Sequence, residues 1–536
     1  FPRQYFVVLA IGALLFLLVW LERARRGYTR VLASHLDYSV AALVAAYVIS
    51  GFQAVNYSRA LDETIKYTTY FLTYWVASRA AVGEEDVYLI VRAFFLGAAG
   101  VAASGLLAAA GALKIAGGIE GDRLYTHLQY PNAAAALFAA AWMVGVFLER
   151  ASSQSVVDVQ AILARGARFW MHLFPAANLF LLAGLFGTKS NGGLITFAAL
   201  LPVYFLGLPR EFRISALLSL CWQLPAGAML GLRIMEKPSG AFDLGAVLTV
   251  IASAGLAPLV SIAIQRVGTI AAGRNTVPGT NRRILAGAIV VAILAAVVFG
   301  WAWVSKYGGP QALVRYILGG ELRSHNALQR FFFYKDSLKV IAEHPVLGLG
   351  GGGWAAVYQK YQSWLYGGIV THNQYLQVSI ETGTVGFLIF LAIWFYFGRS
   401  FLRLYRHAVG VRRALLWALA SAVLLIAMHS AIDFDMTFAY IGVAVWTIWG
   451  LVRGLERRPQ SAREDRVRRP PSRFHQARVS LMVALTVGLV FLAGTQFLAR
   501  SYAINAEKAL GDGKPEEAIP LYEKSLPLDN LYAPSY

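Results

Sequence analysis

The chain contains RFFFY at 330–334, EHPVLGLGGGGW at 343–354, THNQYLQ at 371–377 and ETGTVG at 381–386. These motifs lie in or directly after residues 305–375, a long segment without an apolar run of membrane length. Such a segment in a compact protein is usually functional or disordered, and its aromatic and apolar content argues against disorder. We therefore expect the functional part of the protein to lie here.

The composition of the whole chain is that of a membrane protein. Of its 536 residues, 57% are hydrophobic and 14% are charged, whereas a soluble domain carries roughly 25% charged residues. The single cysteine, Cys221, excludes an intrachain disulfide and a cysteine-rich metal site. Because the sequence begins at Phe1 rather than at a methionine, we expect the natural N-terminus to lie upstream.

Apolar runs predict an all-α fold, a polytopic membrane helix bundle. A helix needs roughly 20 apolar residues to cross the hydrocarbon of a bilayer. The third predicted span is weak because tyrosine, threonine and Arg79 dilute it. The fourteen candidate spans are 4–20, 39–55, 63–79, 87–113, 132–149, 169–187, 192–209, 212–233, 241–265, 284–304, 376–398, 414–432, 436–452 and 480–498.

Arginine and lysine residues in alternate loops predict the orientation of these spans. The basic loops all fall on one side, which the positive-inside rule makes cytoplasmic. They also account for most of the net charge of +19, so no nucleic-acid partner is expected. The basic loops are 21–38, 149–168, 209–213, 266–283, 399–413 and 453–478.

The loops between these basic loops are predicted to be extracytoplasmic. With this topology the chain has four predicted parts. These are the first transmembrane helices (1–304), an extracytoplasmic catalytic loop (305–375), the remaining transmembrane helices (376–498) and an extracytoplasmic tail (499–536). In the tail, small residues at helical spacing flank a glycine-rich turn at 511–513. The tail resembles one hairpin of a tetratricopeptide repeat, truncated here, which would bind a protein partner. The alternative is a plain amphipathic helix pair.

His372 is the candidate general base. An imidazole with a pKa near 6.5 accepts a proton at neutral pH and can activate an alcohol. Its position, just before a new transmembrane span, fits equally well a histidine that anchors a helix end at the membrane interface.

The loop 305–375 is unusually basic for an extracytoplasmic segment. Arginine side chains suit phosphate and pyrophosphate groups, and Arg323 and Arg330 are therefore candidate substrate ligands. The alternative is that the arginines of this loop pair with Glu321, Asp336 and Glu343, or with lipid headgroups.

Two shorter extracytoplasmic loops add further candidates. The stretch GDRLYTHLQYPN at 121–132 contains Arg123 and Asn132, and the alternative role of Asn132 is to cap the following helix. Lys189, in TKSNGG at 188–193, is either a phosphate ligand or an interfacial residue that snorkels to the headgroups.

The glycine-rich run at 348–353 does not have the GxxxxGK[ST] pattern of a phosphate-binding loop. We expect it to allow a tight bend and a close backbone approach before Trp354. The sequence contains no HExxH motif and no spaced Asp, Glu and His set that argues for a metal, so neither a metal nor another cofactor is expected.

Together, these motifs resemble the O-antigen ligase and O-antigen polymerase superfamily of membrane glycosyltransferases. In that family an arginine leads an aromatic helix into a His-Pro-Leu-x-Gly-x-Gly stretch, and here Arg330 precedes HPVLGLG, which ends at Gly350. The signature His-Asn-x-x-Leu-x-x-x-x-Glu-x-Gly-x-x-Gly matches His372, Asn373 and Glu381. The likeness covers roughly residues 90–450, and its specificity lies in the joint spacing.

Two further elements of the family are present, and one differs. An Arg…Pro-Asn element matches Arg123 and Asn132, and a late His…Asp element matches His429 and Asp433. Where the family usually has Ser-Arg-Gly, this chain has SNG at 190–192, and the neighbouring Lys189 is the candidate to replace the missing cation.

The resemblance implies transfer of a glycan from an undecaprenyl-pyrophosphate carrier to a hydroxyl of a lipid, polymer or protein acceptor. It places this inverting, metal-independent reaction at the outer face of a bacterial cell membrane. His372 would be the base. The implied substrate ligands are Arg330, Arg123, Lys189, Arg323, Asn373 and Asn132, and the implied structural residues are Glu381, Gly350, His429 and Asp433.

Two other functions stay open. A polysaccharide polymerase would use a second lipid-linked repeat unit as the acceptor, and nothing in the sequence separates it cleanly from a ligase. A flippase or transporter for lipid-linked glycans would predict inverted repeats and charges at mid-membrane. No clear repeat is found, and the candidate charges cluster at one face.

Overall fold

The computed structural model describes residues 3–28, 30–81, 83–153, 167–236, 241–271, 324–464, 475–529 and 531. Within these ranges the chain is almost entirely helical. The described strands are only two residues long, Ile119–Glu120 (β1) and Arg123–Leu124 (β2), and they pair in antiparallel orientation. The predicted all-α fold class is therefore confirmed.

The described helices lie before and after residues 272–323, which the structure does not describe. Those before it are α1 (Gln4–Arg25), α2 (His35–Gly51), α3 (Tyr57–Ala80), α4 (Glu84–Ala109), α5 (Pro131–Ser153), α6 (Ala167–Gly187), α7 (Asn191–Gly207), α8 (Arg210–Ile234) and α9 (Leu244–Ala271). Those after it are α10 (Ser324–Glu343), α11 (Gly353–Tyr361), α12 (Gln374–His407), α13 (Gly410–His429), α14 (Ala439–Glu464), α15 (His475–Gly511) and α16 (Pro515–Ser525).

Eight of the described helices are long and apolar enough to cross a membrane, namely α1, α4, α5, α8, α9, α12, α13 and α15. Shorter apolar helices lie in α2, α6 and α7. The predicted span 284–304 falls outside the described residues, and each of the other predicted spans overlaps a helix. The chain is therefore a multi-pass membrane protein by the length and composition of its helices.

The chain forms two compact units. The first comprises Phe1–Glu84, Leu328–Arg403 and Ala439–Tyr536. At its centre α3 packs against α14, and Tyr70 stacks on Trp446 with ring centroids 5.4 Å apart. Tyr67 stacks on Tyr47 of α2 at 4.0 Å. Aromatic contacts thus bury α3, the weakest of the predicted spans.

The C-terminal helices belong to the first unit and are held by buried charges. Arg500 of α15 lies 3.1 Å from Asp62 of α3 and 3.3 Å from Asp529. Helix α16 folds back on α15 through a small apolar cluster that includes Ala506 and Ala518. A helix hairpin is therefore present in the tail, while its assignment to a tetratricopeptide array stays a prediction.

The second unit comprises Glu85–Ala327 and Leu404–Phe438. Helix α5 is central to it and packs against α6, α7, α8 and α13. The fully buried alanines 133–136 let the neighbouring helices approach closely. Further along α5, the buried Glu149 accepts hydrogen bonds from Asn178 and Gln223, both 2.8 Å long.

Candidate active site

In the first unit, helix α10 contacts both the ring and the backbone of His372. The Phe333 ring stacks on the imidazole at a centroid distance of 5.4 Å and an interplanar angle of 11°. The Tyr334 hydroxyl donates a hydrogen bond of 3.0 Å to the His372 carbonyl oxygen. Arg330 precedes these residues by three and four positions, the spacing of one helix face. His372, the predicted base, and Arg330, a predicted substrate ligand, therefore lie in the same part of the first unit.

The loop that carries His372 is fixed on both sides. His372 has a φ of 50°, in the left-handed region that non-glycine residues seldom adopt. Before it, the buried Thr371 donates its hydroxyl to the Asn373 carbonyl over 2.9 Å. After it, the Asn373 side-chain oxygen accepts hydrogen bonds from Tyr375 N and Leu376 N, 2.9 and 3.1 Å long. Asn373, a predicted substrate ligand, thus caps the start of α12.

The glycine motifs interlock through the backbone. At Gly383, with φ 64° and ψ −168°, helix α12 is kinked. Leu349 N and Gly350 N donate to the carbonyls of Ile380 and Glu381 at 2.8 and 3.0 Å, one turn before this kink. A Cβ on Gly383 would lie 2.2 Å from the Val346 oxygen. The glycine-rich run therefore makes the expected close backbone approach, and the segment that it approaches contains the motif ETGTVG at 381–386.

Beneath the glycine-rich run lies the buried carboxylate of Glu381. It accepts hydrogen bonds from the Tyr47 hydroxyl at 2.8 Å, from Gln377 Nε2 at 2.7 Å and from Gly352 N at 2.9 Å. Two charged residues of α3, Glu63 and Lys66, pair with each other and interact electrostatically with Glu381. The sequence analysis did not single out Glu63 and Lys66. The unusual polarity of the third predicted span, 63–79, was the feature that could have indicated them.

Asp336 of α10 contacts the segment that follows α11. Its buried carboxylate accepts hydrogen bonds from Lys339 at 2.7 Å and from both Ser363 N and the Tyr366 hydroxyl at 2.8 Å. Burial favours a raised pKa, but these three hydrogen bonds outweigh it and hold the pKa of Asp336 below its usual value. Two of the acids that the alternative assigns to arginines thus have lysine partners. Asp336 pairs with Lys339, and Glu343 lies 3.6 Å from Lys360.

In the second unit, Asn132 is the centre of a polar network. Its side-chain oxygen accepts from Arg123 Nη2 at 3.0 Å and from the Ser190 hydroxyl at 2.9 Å. Its amide nitrogen donates to Asp433 at 2.9 Å and to the Tyr130 hydroxyl at 3.1 Å. Pro131 and Asn132 are the first residues of α5, and the network uses the Asn132 side chain. The structure thus joins Arg123 and Asn132 to Asp433, which lies 301 positions after Asn132.

The remaining predicted residues of this unit have acidic partners. Lys189 Nζ lies 2.7 Å from Asp122, and this hydrogen bond is the main reason why the pKa of Asp122 is below its usual value. His429 Nδ1 lies 2.7 Å from Asp435, a residue that the sequence analysis did not single out. Burial raises the pKa of Asp435, an effect that His429 partly offsets. Asp435 lies only two positions after Asp433, the aspartate that matches the family motif.

The site residues fall in both compact units, and Arg323 lies outside the described residues. Among the residues that the structure describes, no group of three or more His, Cys, Asp and Glu side chains is arranged to hold a metal ion.

Comparison with protein families gives one match. Residues 241–391 match the family model described as O-antigen ligase. The matched range includes α9 and the motifs from Arg330 to Gly386. No curated protein is similar enough to the chain to count as a match. The match confirms the predicted resemblance, and it does not extend to the tail.

Proposed function

From the match of residues 241–391 to the O-antigen ligase family, we propose a function for this membrane protein. It transfers a glycan from an undecaprenyl-pyrophosphate carrier to an acceptor hydroxyl. The family match supports a membrane glycan-transferring enzyme. The donor, the acceptor and the roles of individual residues are our proposal. The acceptor is a lipid, a cell-envelope polymer or a protein.

One observation carries the proposal: a single helix face presents a guanidinium and holds an imidazole. Arg330 is on α10, and the next turn of that face contacts the ring and the carbonyl of His372. A guanidinium matches a diphosphate, while a neutral imidazole accepts the proton of an alcohol. These are the two groups that displacement of a pyrophosphate by an alcohol requires.

The proposed reaction is a single displacement. The acceptor oxygen attacks C1 of the donor sugar, and its proton passes to His372. The bond between C1 and the phosphate oxygen breaks, and its electron pair leaves with the pyrophosphate. Because negative charge grows on that leaving group, Arg330 stabilises the transition state more than the ground state. Attack from the face opposite the leaving group inverts C1.

We place the reaction at the extracytoplasmic face of a bacterial cell membrane. The support is the charge pattern, since the arginine-rich loops 21–38, 149–168, 266–283 and 453–478 fall on the other side of the predicted spans. Arg123, Asn132 and Lys189 of the second unit remain proposed ligands of the donor. The helix hairpin of the tail is proposed to bind a protein partner.

The decisive experiment incubates the purified protein with labelled polyprenyl-pyrophosphate glycan, with and without acceptor. We expect acceptor-dependent transfer, which His372→Ala reduces by at least 10²-fold while the protein stays folded in detergent. Near-normal transfer by His372→Ala would eliminate the base assignment. Products that lengthen without added acceptor would indicate a polymerase, and movement of intact donor across vesicles without transfer would indicate a flippase.

A matched pair of variants tests Arg330 in the same assay. Arg330→Ala is expected to abolish transfer, and Arg330→Lys is expected to restore only part of it, because a planar fork becomes a point charge. Lys360→Ala is the control, since this cation lies in the same loop and is paired with Glu343. If Arg330→Ala and Lys360→Ala behaved alike, Arg330 would have no special role toward the pyrophosphate.

A further inference from the structure

Two successive residues of one helix hold His372 from different directions. The Phe333 ring lies almost parallel to the imidazole, at 11° and 5.4 Å between centroids. The Tyr334 hydroxyl donates to the His372 carbonyl oxygen at 3.0 Å. The first contact fixes the plane of the ring. The second fixes the backbone from which the ring projects.

The backbone of His372 needs such support. Its φ of 50° is uncommon for non-glycine residues. Such a conformation persists only where the surrounding structure enforces it. Without the Tyr334 hydrogen bond, the loop would have more freedom to return to an ordinary conformation. The imidazole would then point elsewhere, because a change of backbone dihedral redirects the whole side chain.

Phe333 is itself held in place from behind. It is 1% exposed, and the edge of the Tyr366 ring meets it at 4.5 Å and 77°. The Tyr366 hydroxyl donates to the buried Asp336 at 2.8 Å, on the same helix α10 as Phe333. This hydrogen bond therefore holds the Tyr366 ring that packs against Phe333. Asp336, Tyr366 and Phe333 form a continuous support that ends on the imidazole.

We infer that Phe333 and Tyr334 are positioning residues that set the plane and the direction in which His372 accepts a proton. Because Arg330 is on the same face of α10, this helix also fixes the spacing between the base and the cation that binds the leaving group. The inference rests on the proposed function. It adds that preorganisation of the base comes from an aromatic stack and a backbone hydrogen bond.

The first test is Tyr334→Phe, which removes one hydroxyl and keeps the ring. We expect kcat to fall about five- to tenfold with little change in KM or melting temperature, because the base is misaligned while substrate binding is intact. The matched control is Tyr358→Phe. Its hydroxyl contacts the exposed Gln359, and its ring packs in the same apolar cluster. A kcat within twofold of wild type for Tyr334→Phe, or an equal loss in the control, would overturn the inference.

A double-mutant cycle separates positioning from general structure. One background is His372→Ala, whose residual transfer rate is raised by added imidazole. In that background Tyr334→Phe is expected to lower the rate no further, because the side chain that Tyr334 positions is absent. A loss of the same size in both backgrounds would show that Tyr334 acts otherwise.

The outcomes also separate this inference from the proposed function. If His372→Ala keeps full transfer, the base assignment and this inference both fail. If His372→Ala is inactive while Tyr334→Phe matches wild type, only the positioning role fails. A second pair sharpens the result: Phe333→Leu should lower kcat more than Phe332→Leu, because Phe332 stacks on Trp364 instead of on His372.

Discussion

The His372 region of the first unit and the Asn132 network of the second unit are built by different means. Around His372, backbone geometry dominates: glycines with positive φ, a kinked helix and a carbonyl held by Tyr334. Around Asn132, side chains bind side chains, with Arg123 and Asp433 on either side of one amide. The backbone conformation of Gly383 is essentially restricted to glycine, whereas a polar network loses stability one hydrogen bond at a time. The two regions should therefore differ in how they respond to mutation.

The largest effect is expected for Gly383→Ala in the first unit. The combination of φ 64° and ψ −168° is essentially restricted to glycine, and the added Cβ would meet the Val346 oxygen at 2.2 Å. We expect a loss of more than about 3 kcal/mol in the free energy of unfolding. Little folded protein should elute as a single peak in size-exclusion chromatography.

The control for this variant is Gly398→Ala in the same helix. Apart from the backbone of its own helix, no atom of the described residues lies within 4 Å of a Cβ added there, so its effect on stability should be under about 1 kcal/mol. Equal behaviour of the two variants would mean that the kink at Gly383 is not needed for folding.

An intermediate effect is expected for Asp433→Ala in the second unit. The substitution leaves the Tyr130 hydroxyl and the Asn132 amide without their acceptor. Both donors are half-buried, and each lost hydrogen bond costs about 0.5–1.5 kcal/mol, so the melting temperature should fall while the protein still folds. Asp433→Asn, which keeps one acceptor oxygen, should recover part of the loss. An unchanged melting temperature for Asp433→Ala would contradict the account of this network.

The smallest effect is expected for Lys189→Gln. Its partner Asp122 is 70% exposed, and such a pair contributes roughly 0–1 kcal/mol. Because the folded-state pKa of Asp122 is depressed, the contribution is present at neutral pH and is lost as the pH falls through that pKa. If Lys189 also binds the donor pyrophosphate, KM for the donor should rise a few-fold while stability barely changes. An unchanged KM would remove Lys189 from the proposed ligands.

Several features could be predicted because they depend on local sequence. Apolar length marks the membrane helices, and the glycine-rich run at 348–353 indicates a close backbone approach. The motif spacing singles out Arg330 and His372 as candidates. It does not show that Phe333 and Tyr334 contact His372, since the helix and the loop are joined by about forty residues of intervening chain. The roles proposed for Arg330 and His372 stay predictions.

Other features could not be predicted because they depend on which helices pack together. Glu63 and Lys66 of α3 interact with Glu381, more than three hundred positions away. His429 pairs with Asp435, which the motif did not single out and which the turn after α13 brings to the imidazole. Asn132 meets Asp433 only because α5 packs against α13.

The sequence alone determined that the chain is a helical membrane protein and which polar motifs stand out from it. Those conclusions follow from hydrophobic length and residue type, which need no partner. Only the tertiary structure decided which polar groups meet, because a buried charge or hydroxyl must find its partner wherever the packed helices place one. The support of His372 by α10 and the seating of Glu381 beneath the glycine-rich run are consequences of that packing.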